Sequence, residues 1–214
     1  GLIGPRARLV YDGEGRYAAK IITRAGTERV ARFSYQLALK RAERSGRSPS
    51  LTVSAKTNML PATDRYFADI VAEIGAEFPD VKLTRYIVDD MAHRLVTSYD
   101  ELDVLLLPNL YGDVLSDLAA GTVGGMGLAP SGCYSESYAY FESAHGTAPD
   151  IAGQERINPT ATLLSAVMML EYLGLDRPAA RLDAAISAVY AEGRHLTVDQ
   201  GGTATTSEFA AAVT

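Results

Sequence analysis

Cysteine, tryptophan and histidine are scarce in this chain: one, none and three among 214 residues. The single thiol, Cys133, excludes an intrachain disulfide and suits a reducing compartment. No Cys/His spacing of a zinc site occurs. Basic residues are also in deficit, 20 Lys and Arg against 26 Asp and Glu, for a formal net charge of −6. That balance argues against nucleic acid and against an anionic membrane surface, since both need a basic field. The one basic cluster, KRAERSGR at 40–47, reads as the solvated end of a helix. No apolar run reaches the roughly 18 residues of a membrane span, and no signal-peptide pattern opens the chain. A soluble, cytoplasmic protein with no membrane partner is expected. The first residue is Gly1 rather than Met, which points to a processed, truncated or tagged start.

What is present is ordinary globular composition, 47% hydrophobic and 21% charged, on a length that suffices for one large domain or two small ones. Residues 7–23 pattern as two strands around Asp12-Gly13-Glu14-Gly15, a hairpin arm. A helix is predicted over 27–45, with Val30, Phe33, Leu37 and Ala38 as its apolar stripe and Gly46 as its stop. A buried strand over 51–55 follows, then a helix over 62–78 with Phe67, Ile70, Val71, Ile74 and Phe78 inward. A strand at 83–88, a short helix and a buried strand at 103–108 lead to a helix beginning near Asp113. This alternation predicts an α/β fold with a largely parallel sheet. The glycine-dense stretch 121–132 is read as an inter-domain crossing. Two further helices are predicted, one opening at Asn158-Pro159 and ending at Gly174, the other over 178–192 with Leu182, Ile186 and Val189 inward.

Several residues could carry chemistry. Asp113 and Asp117, four apart after a buried strand, would share one helix face. They are either capping or surface aspartates, or ligands of a hard cation. Asp89-Asp90 also follows a strand, and oxygen ligands without Cys or His suit Mg²⁺ or Mn²⁺. Lys56, just past a strand, is either a snorkelling surface lysine or a desolvated base. HGTAPDIAG, residues 145–153, is a Gly/Pro-punctuated loop before a helix; it is an ordinary connection or a cradle of backbone N–H groups.

Long blocks carry a family resemblance. NLYGDVLSDLAAGTVGGMGLAPSG (109–132) is similar to the signature of the isocitrate/isopropylmalate dehydrogenases, the β-decarboxylating dehydrogenases. AHGTAPDIAGQERINPTATLLSAVMMLEYLG (144–174) resembles that family's nucleotide loop and following helix, and SAKTNMLP, YIVDD and GGTATTSEF match further blocks in order. Homoisocitrate and NAD-linked isocitrate dehydrogenases are nearest in wording. The resemblance implies an isopropylmalate-dehydrogenase-like two-domain fold. Residues 1–123 would form the small substrate, metal and dimerisation domain with its arm, and 124–214 the C-terminal half of the nucleotide-binding domain.

It also implies a site. Asp113 and Asp117 of one subunit, with Asp89 lent by a dimer partner, would hold Mg²⁺ or Mn²⁺ against a hydroxy-acid substrate. Lys56 matches the catalytic lysine, and Asn58 a neighbour of substrate and nicotinamide. His145, Gly146, Thr147, Ala148, Pro149, Asp150, Ile151 and Asn158 match the adenosine-binding segment. Asp150 would accept from a ribose 2′-hydroxyl and repel a 2′-phosphate, whereas NADP-using relatives carry basic or phenolic residues at 150 and 151; NAD is the expected cofactor.

This chain departs from the family pattern in lacking a long N-terminal segment that brings substrate-binding arginines. It places Ile3 where a proton-donating tyrosine aligns, Asp90 for asparagine, and Cys133 for asparagine after Pro-Ser-Gly. Two functions follow as expectations. One is NAD- and Mg-dependent oxidative decarboxylation of a 3-substituted malate by a homodimer. The other is a non-catalytic regulatory subunit in a hetero-oligomer with a complete partner.

Overall fold

The computed structural model describes residue 16 and residues 18–214. Most of the expected hairpin arm, and Ile3, lie outside the described residues; residue 16 and residues 18–23 have no regular structure. The chain divides into two compact units, Gly1–Asp113 and Val114–Thr214.

In the first unit Thr23 caps helix α1 (Arg24–Ser45), its hydroxyl accepting from Gly26 N–H, and Gly46 closes it at φ 70°. The buried face is Thr27, Ala31, Ser34, Tyr35 and Ala38; of the predicted stripe Ala38 is buried and Leu37 packs against the core, whereas Val30 and Phe33 are 38% and 40% exposed. The seam is rotated because two alanines admit a close neighbour and Tyr35 carries its polar tip inside. Its hydroxyl donates to Val71 O at 3.0 Å and its ring stacks on Phe78 at 5.0 Å.

Strand β1 (Ser50–Ala55) is central. It pairs in parallel with β2 (Lys82–Ile87) and β3 (Val104–Leu106), in the order β2-β1-β3. Residues 51–55 are all buried, as a strand covered on both faces requires. A π turn, Pro61–Arg65, leads into α2 (Tyr66–Gly75), whose Phe67, Ile70, Val71 and Ile74 face the core as predicted. Helix α3 (Val88–Thr97) follows β2. Helix α4 (Asn109–Thr122) starts one turn earlier than expected, the Pro108 carbonyl already accepting from Gly112 N–H at 3.0 Å. Asn and Gly, both poor helix formers, had marked that turn as loop.

In the second unit β4 (Pro130–Tyr134) and β5 (Ala139–Ser143) form an antiparallel ribbon that the sequence reading missed. Helix α5 (Thr160–Tyr172) packs on it, Ser165 accepting from Ser131 N–H at 3.2 Å and lying 2.6 Å from Glu142 O. Helix α6 (Asp176–Glu192) buries Ala179, Ile186 and Val189. Helix α7 (Thr206–Val213) opens on a capping box between Thr205 and Glu208. Among the described residues no helix is long and apolar enough to cross a membrane.

Candidate active site

Parallel pairing brings the first two residues together. Ala55 on β1 stands opposite Ile87 on β2, so the segments leaving both strands emerge side by side. Lys56 follows the first and Asp89 opens α3 after the second, and Lys56 Nζ donates to Asp89 Oδ1 at 2.6 Å. The Lys56 ammonium, with the Asp89 backbone, holds the Asp89 carboxyl below the usual carboxylate range. Asp90 faces elsewhere: Arg94, one turn on, donates to it at 2.9 Å, and the guanidinium lies 4.1 Å from the Tyr86 ring centroid. The extra carboxylate that departs from the family pattern is thus neutralised within its own helix. Asn58 stands exposed in the turn beyond Lys56.

Asp113 and Asp117 lie in the second and third turns of α4, which has no acidic residue in its first turn. Complementing the helix N-terminus therefore does not account for them, because that effect fades within a turn. They sit one turn apart, as the spacing predicted. Among the described residues no three His, Cys, Asp or Glu side chains of the single chain come together as a metal-binding group. The structure joins Asp89 to Lys56, not to the α4 pair.

A residue the sequence reading passed over sits beneath Lys56. Asp64, in the π turn, is fully buried, ion-paired with Lys20, and accepts from Lys56 N–H at 2.9 Å. Thr63 Oγ1 donates to it at 3.1 Å, and Tyr111 hydrogen-bonds it as well. Burial alone would raise the carboxyl, but the bonds from Lys20, Lys56, Tyr111 and Thr63 outweigh it and hold Asp64 low. No pattern of sequence spacing marks such a residue; its signal is burial of a charge, visible only when folded. A carboxyl depressed in the fold contributes stability that is full above its unfolded value, about 3.9, and is lost as pH falls through the folded value. Asp64→Asn should therefore flatten the acid limb, below about pH 4, of a pH series of chemical denaturation midpoints.

The second unit holds a cavity of about 410 Å³ lined by Gly127, His145, Gly146, Ala148, Ile151, Arg156, Ile157, Asn158 and Asp199. Seven of these lie in the segment 145–158 singled out from sequence. His145 Nδ1 lies 2.8 Å from Gly146 O, while its Nε2 is buried with no partner among the described residues. Such an orphan in a cavity wall fits a ligand with a polar group. Ala148 adopts φ 43°, in the left-handed region, and the loop turns there. Thr147, Pro149 and Asp150 are exposed. The Asn158 side chain is engaged internally: Nδ2 donates to Tyr190 and to Asp199 Oδ2 at 3.1 and 3.0 Å, and Oδ1 accepts from Thr160 N–H at 3.0 Å. It caps α5 from one residue further out than predicted, and its main chain is what remains for a ligand. Asp199, absent from the sequence-derived site, completes that wall.

The profile of the isocitrate/isopropylmalate dehydrogenase family matches residues 7–213. The chain is 46% identical over 194 residues to a Caenorhabditis elegans protein named probable isocitrate dehydrogenase [NAD] subunit alpha, mitochondrial, covering 91% of this chain and 53% of that one. It is 43% identical over 210 residues to the isocitrate/homoisocitrate dehydrogenase of Thermus thermophilus, covering 96% and 61%. The crystal structure of isocitrate dehydrogenase from Methylococcus capsulatus superposes with a TM-score of 0.83 at 37% identity, over 91% of this chain and 57% of that one. The chain thus spans a little over half the length of the relatives it matches. A parallel β2-β1-β3 sheet, five sequence blocks in family order and a family profile matching nearly end to end lead to one conclusion: the chain belongs to the isocitrate/isopropylmalate dehydrogenase family.

Proposed function

We propose that this chain carries the lysine, metal-binding and nucleotide-binding portions of an enzyme that oxidatively decarboxylates a 3-substituted malate of the isocitrate, homoisocitrate or 3-isopropylmalate class, with NAD and Mg²⁺ or Mn²⁺, in the cytoplasm. The observation that carries this reading is the 2.6 Å contact between Lys56 and Asp89. A lysine side chain directly beside a carboxylate of the expected cation set supports reading Lys56 as the proton carrier.

Because Lys56 and Asp89 leave one chain as a pair, both are available to a neighbouring subunit together. Asp113 and Asp117 of one subunit would then meet Asp89 of the partner subunit. A divalent cation held by these hard oxygens would stabilise negative charge on the substrate's 2-hydroxyl oxygen. Lys56 Nζ, in its unprotonated amine form, would take the hydroxyl proton, and the ammonium so formed is the state that Asp89 holds at 2.6 Å. At the nucleotide cavity, His145 Nε2 and the main chain around Ala148 and Asn158 offer polar contacts, with Ile151 as an apolar wall. Asp150 beside the ribose favours NAD. A dimer is also supported by the exposed stripe Leu110, Val114 and Leu118 on α4, at 65%, 58% and 36% exposure.

The purified chain should turn over at least one of isocitrate, homoisocitrate and 3-isopropylmalate with NAD and Mg²⁺, and Lys56→Met should reduce that rate by about 10²-fold or more. The same preparation should sediment as a dimer at micromolar concentration. Dimerisation without turnover of any of the three would replace this reading with that of a non-catalytic subunit serving a complete partner.

A further inference from the structure

We propose that Asp64 is a positioning residue for the candidate active site: one buried carboxylate fastens the main chain of Lys56 on one side and, through the Tyr111 hydroxyl, the first turn of the helix bearing Asp113 on the other. This rests on the reading of Lys56 and Asp113 given above.

The turn that carries Lys56 has little apolar anchorage. Met59 and Leu60 are 68% and 40% exposed, and Asn58 is exposed too. The turn is closed by Met59 and Leu60 N–H groups donating to Lys56 O at 3.1 and 2.9 Å, and by Asp64 N–H donating to Leu60 O at 2.8 Å. Lys56 N–H lies beyond the last residue of β1, and its acceptor is Asp64 Oδ2 at 2.9 Å. One residue therefore holds both ends of the five-residue turn, its carboxylate at Lys56 N–H and its own main-chain N–H at Leu60 O.

The other oxygen faces Lys20 and Thr63. Lys20 Nζ also lies 4.3 Å from the centroid of the Tyr111 ring, so the cation bridges Asp64 and Tyr111 from a second direction. Burial first, and then the bond to Asp64, push the Tyr111 hydroxyl up, which keeps it a donor. Tyr111 lies in the first turn of α4, two residues before Asp113. A buried ion is costly unless its lone pairs are satisfied; this one is satisfied by groups from four segments, and it ties those segments together. The main chain that bears Lys56 and the first turn of the helix that bears Asp113 are thereby fixed to one rigid centre, so each side chain starts from a defined position, as precise proton transfer demands.

Hydrogen exchange resolved at single amides, on the full chain, tests this. In Asp64→Ala the Lys56 amide should exchange about tenfold faster or more, while the β1 amides of Leu51 to Ser54 stay at the wild-type rate. Asp64→Asn retains an acceptor oxygen and should fall between the two. Unchanged Lys56 exchange in Asp64→Ala, or acceleration in step with β1, overturns the proposal. Should Asp64→Ala fail to fold, Tyr111→Phe takes its place. Loss of that hydroxyl alone should speed exchange at Gly112 and Asp113 about fivefold, and no change there overturns the proposal equally. Turnover separates this from the reading beneath it. Asp64→Asn should lower kcat with KM nearly unchanged. A fully active Lys56→Met would sink the role of Lys56 and leave Asp64's hold on the turn standing.

Discussion

Asp113→Asn and Asp117→Asn are each expected to abolish the stabilisation that Mg²⁺ confers on the wild-type protein. A ligand at a hundred times its dissociation constant stabilises the folded state by about 2.7 kcal/mol. For a chain of this size that is a rise in melting temperature of roughly 5–10 °C. Asparagine keeps the volume and one carbonyl oxygen but removes the charge that balances a hard dication. The two carboxylates sit beyond the first turn of α4, where they lack a role at the helix N-terminus, and on the same side of the helix. Asp90→Asn is the matched control: its carboxylate is engaged by Arg94, so the Mg²⁺ response should persist. Melting temperatures that respond to Mg²⁺ equally in wild type and in both α4 variants would place the cation elsewhere.

The second large effect is expected at the nucleotide cavity. Exchanging Asp150 for lysine and Ile151 for tyrosine should shift the ratio of NADP to NAD affinity by about 10- to 100-fold in favour of NADP, measured by titration calorimetry. Ile151 lines the cavity and Asp150 is exposed beside it, so a 2′-phosphate would meet a carboxylate in the wild type and an ammonium in the variant. The cost of bringing a phosphate against a carboxylate and the gain of a charge-assisted bond act in the same direction. An unchanged ratio would mean that the adenosine ribose lies away from residue 150, and the preference for NAD would lose its basis.

Asp64 shows what a linear reading cannot find. It lies eight residues after Lys56 and 47 before Tyr111, in a stretch, MLPATDRYF, that reads as an unremarkable helix start. Nothing in its spacing singles it out, because its partners come from separate elements and meet only when β1, the π turn and α4 assemble. The α1 seam failed for a related reason. Amphipathic reasoning weighs hydrophobicity, so it chose Val30 and Phe33 over Ala31 and Tyr35, while the packing favoured small residues and an aromatic whose hydroxyl finds a carbonyl. The β4–β5 ribbon was missed because glycines and prolines there masked strand residues with turn signals.

By itself the sequence determined the family, the α/β alternation, the all-buried central strand and the candidate lists on which the chemistry depends. Those signals are local or are contained in long contiguous blocks, and periodicity and motif preserve both. Tertiary structure alone decided which of two adjacent aspartates meets Lys56, that the Asn158 side chain bonds Tyr190, Asp199 and the start of a helix, that His145 keeps a buried ring nitrogen without a partner among the described residues, and that Asp64 anchors the lysine turn. The pairs Lys56–Asp89 and Asn158–Asp199 depend on distances of about 3 Å between residues tens of positions apart, and such distances exist only once strand register and helix packing have been set.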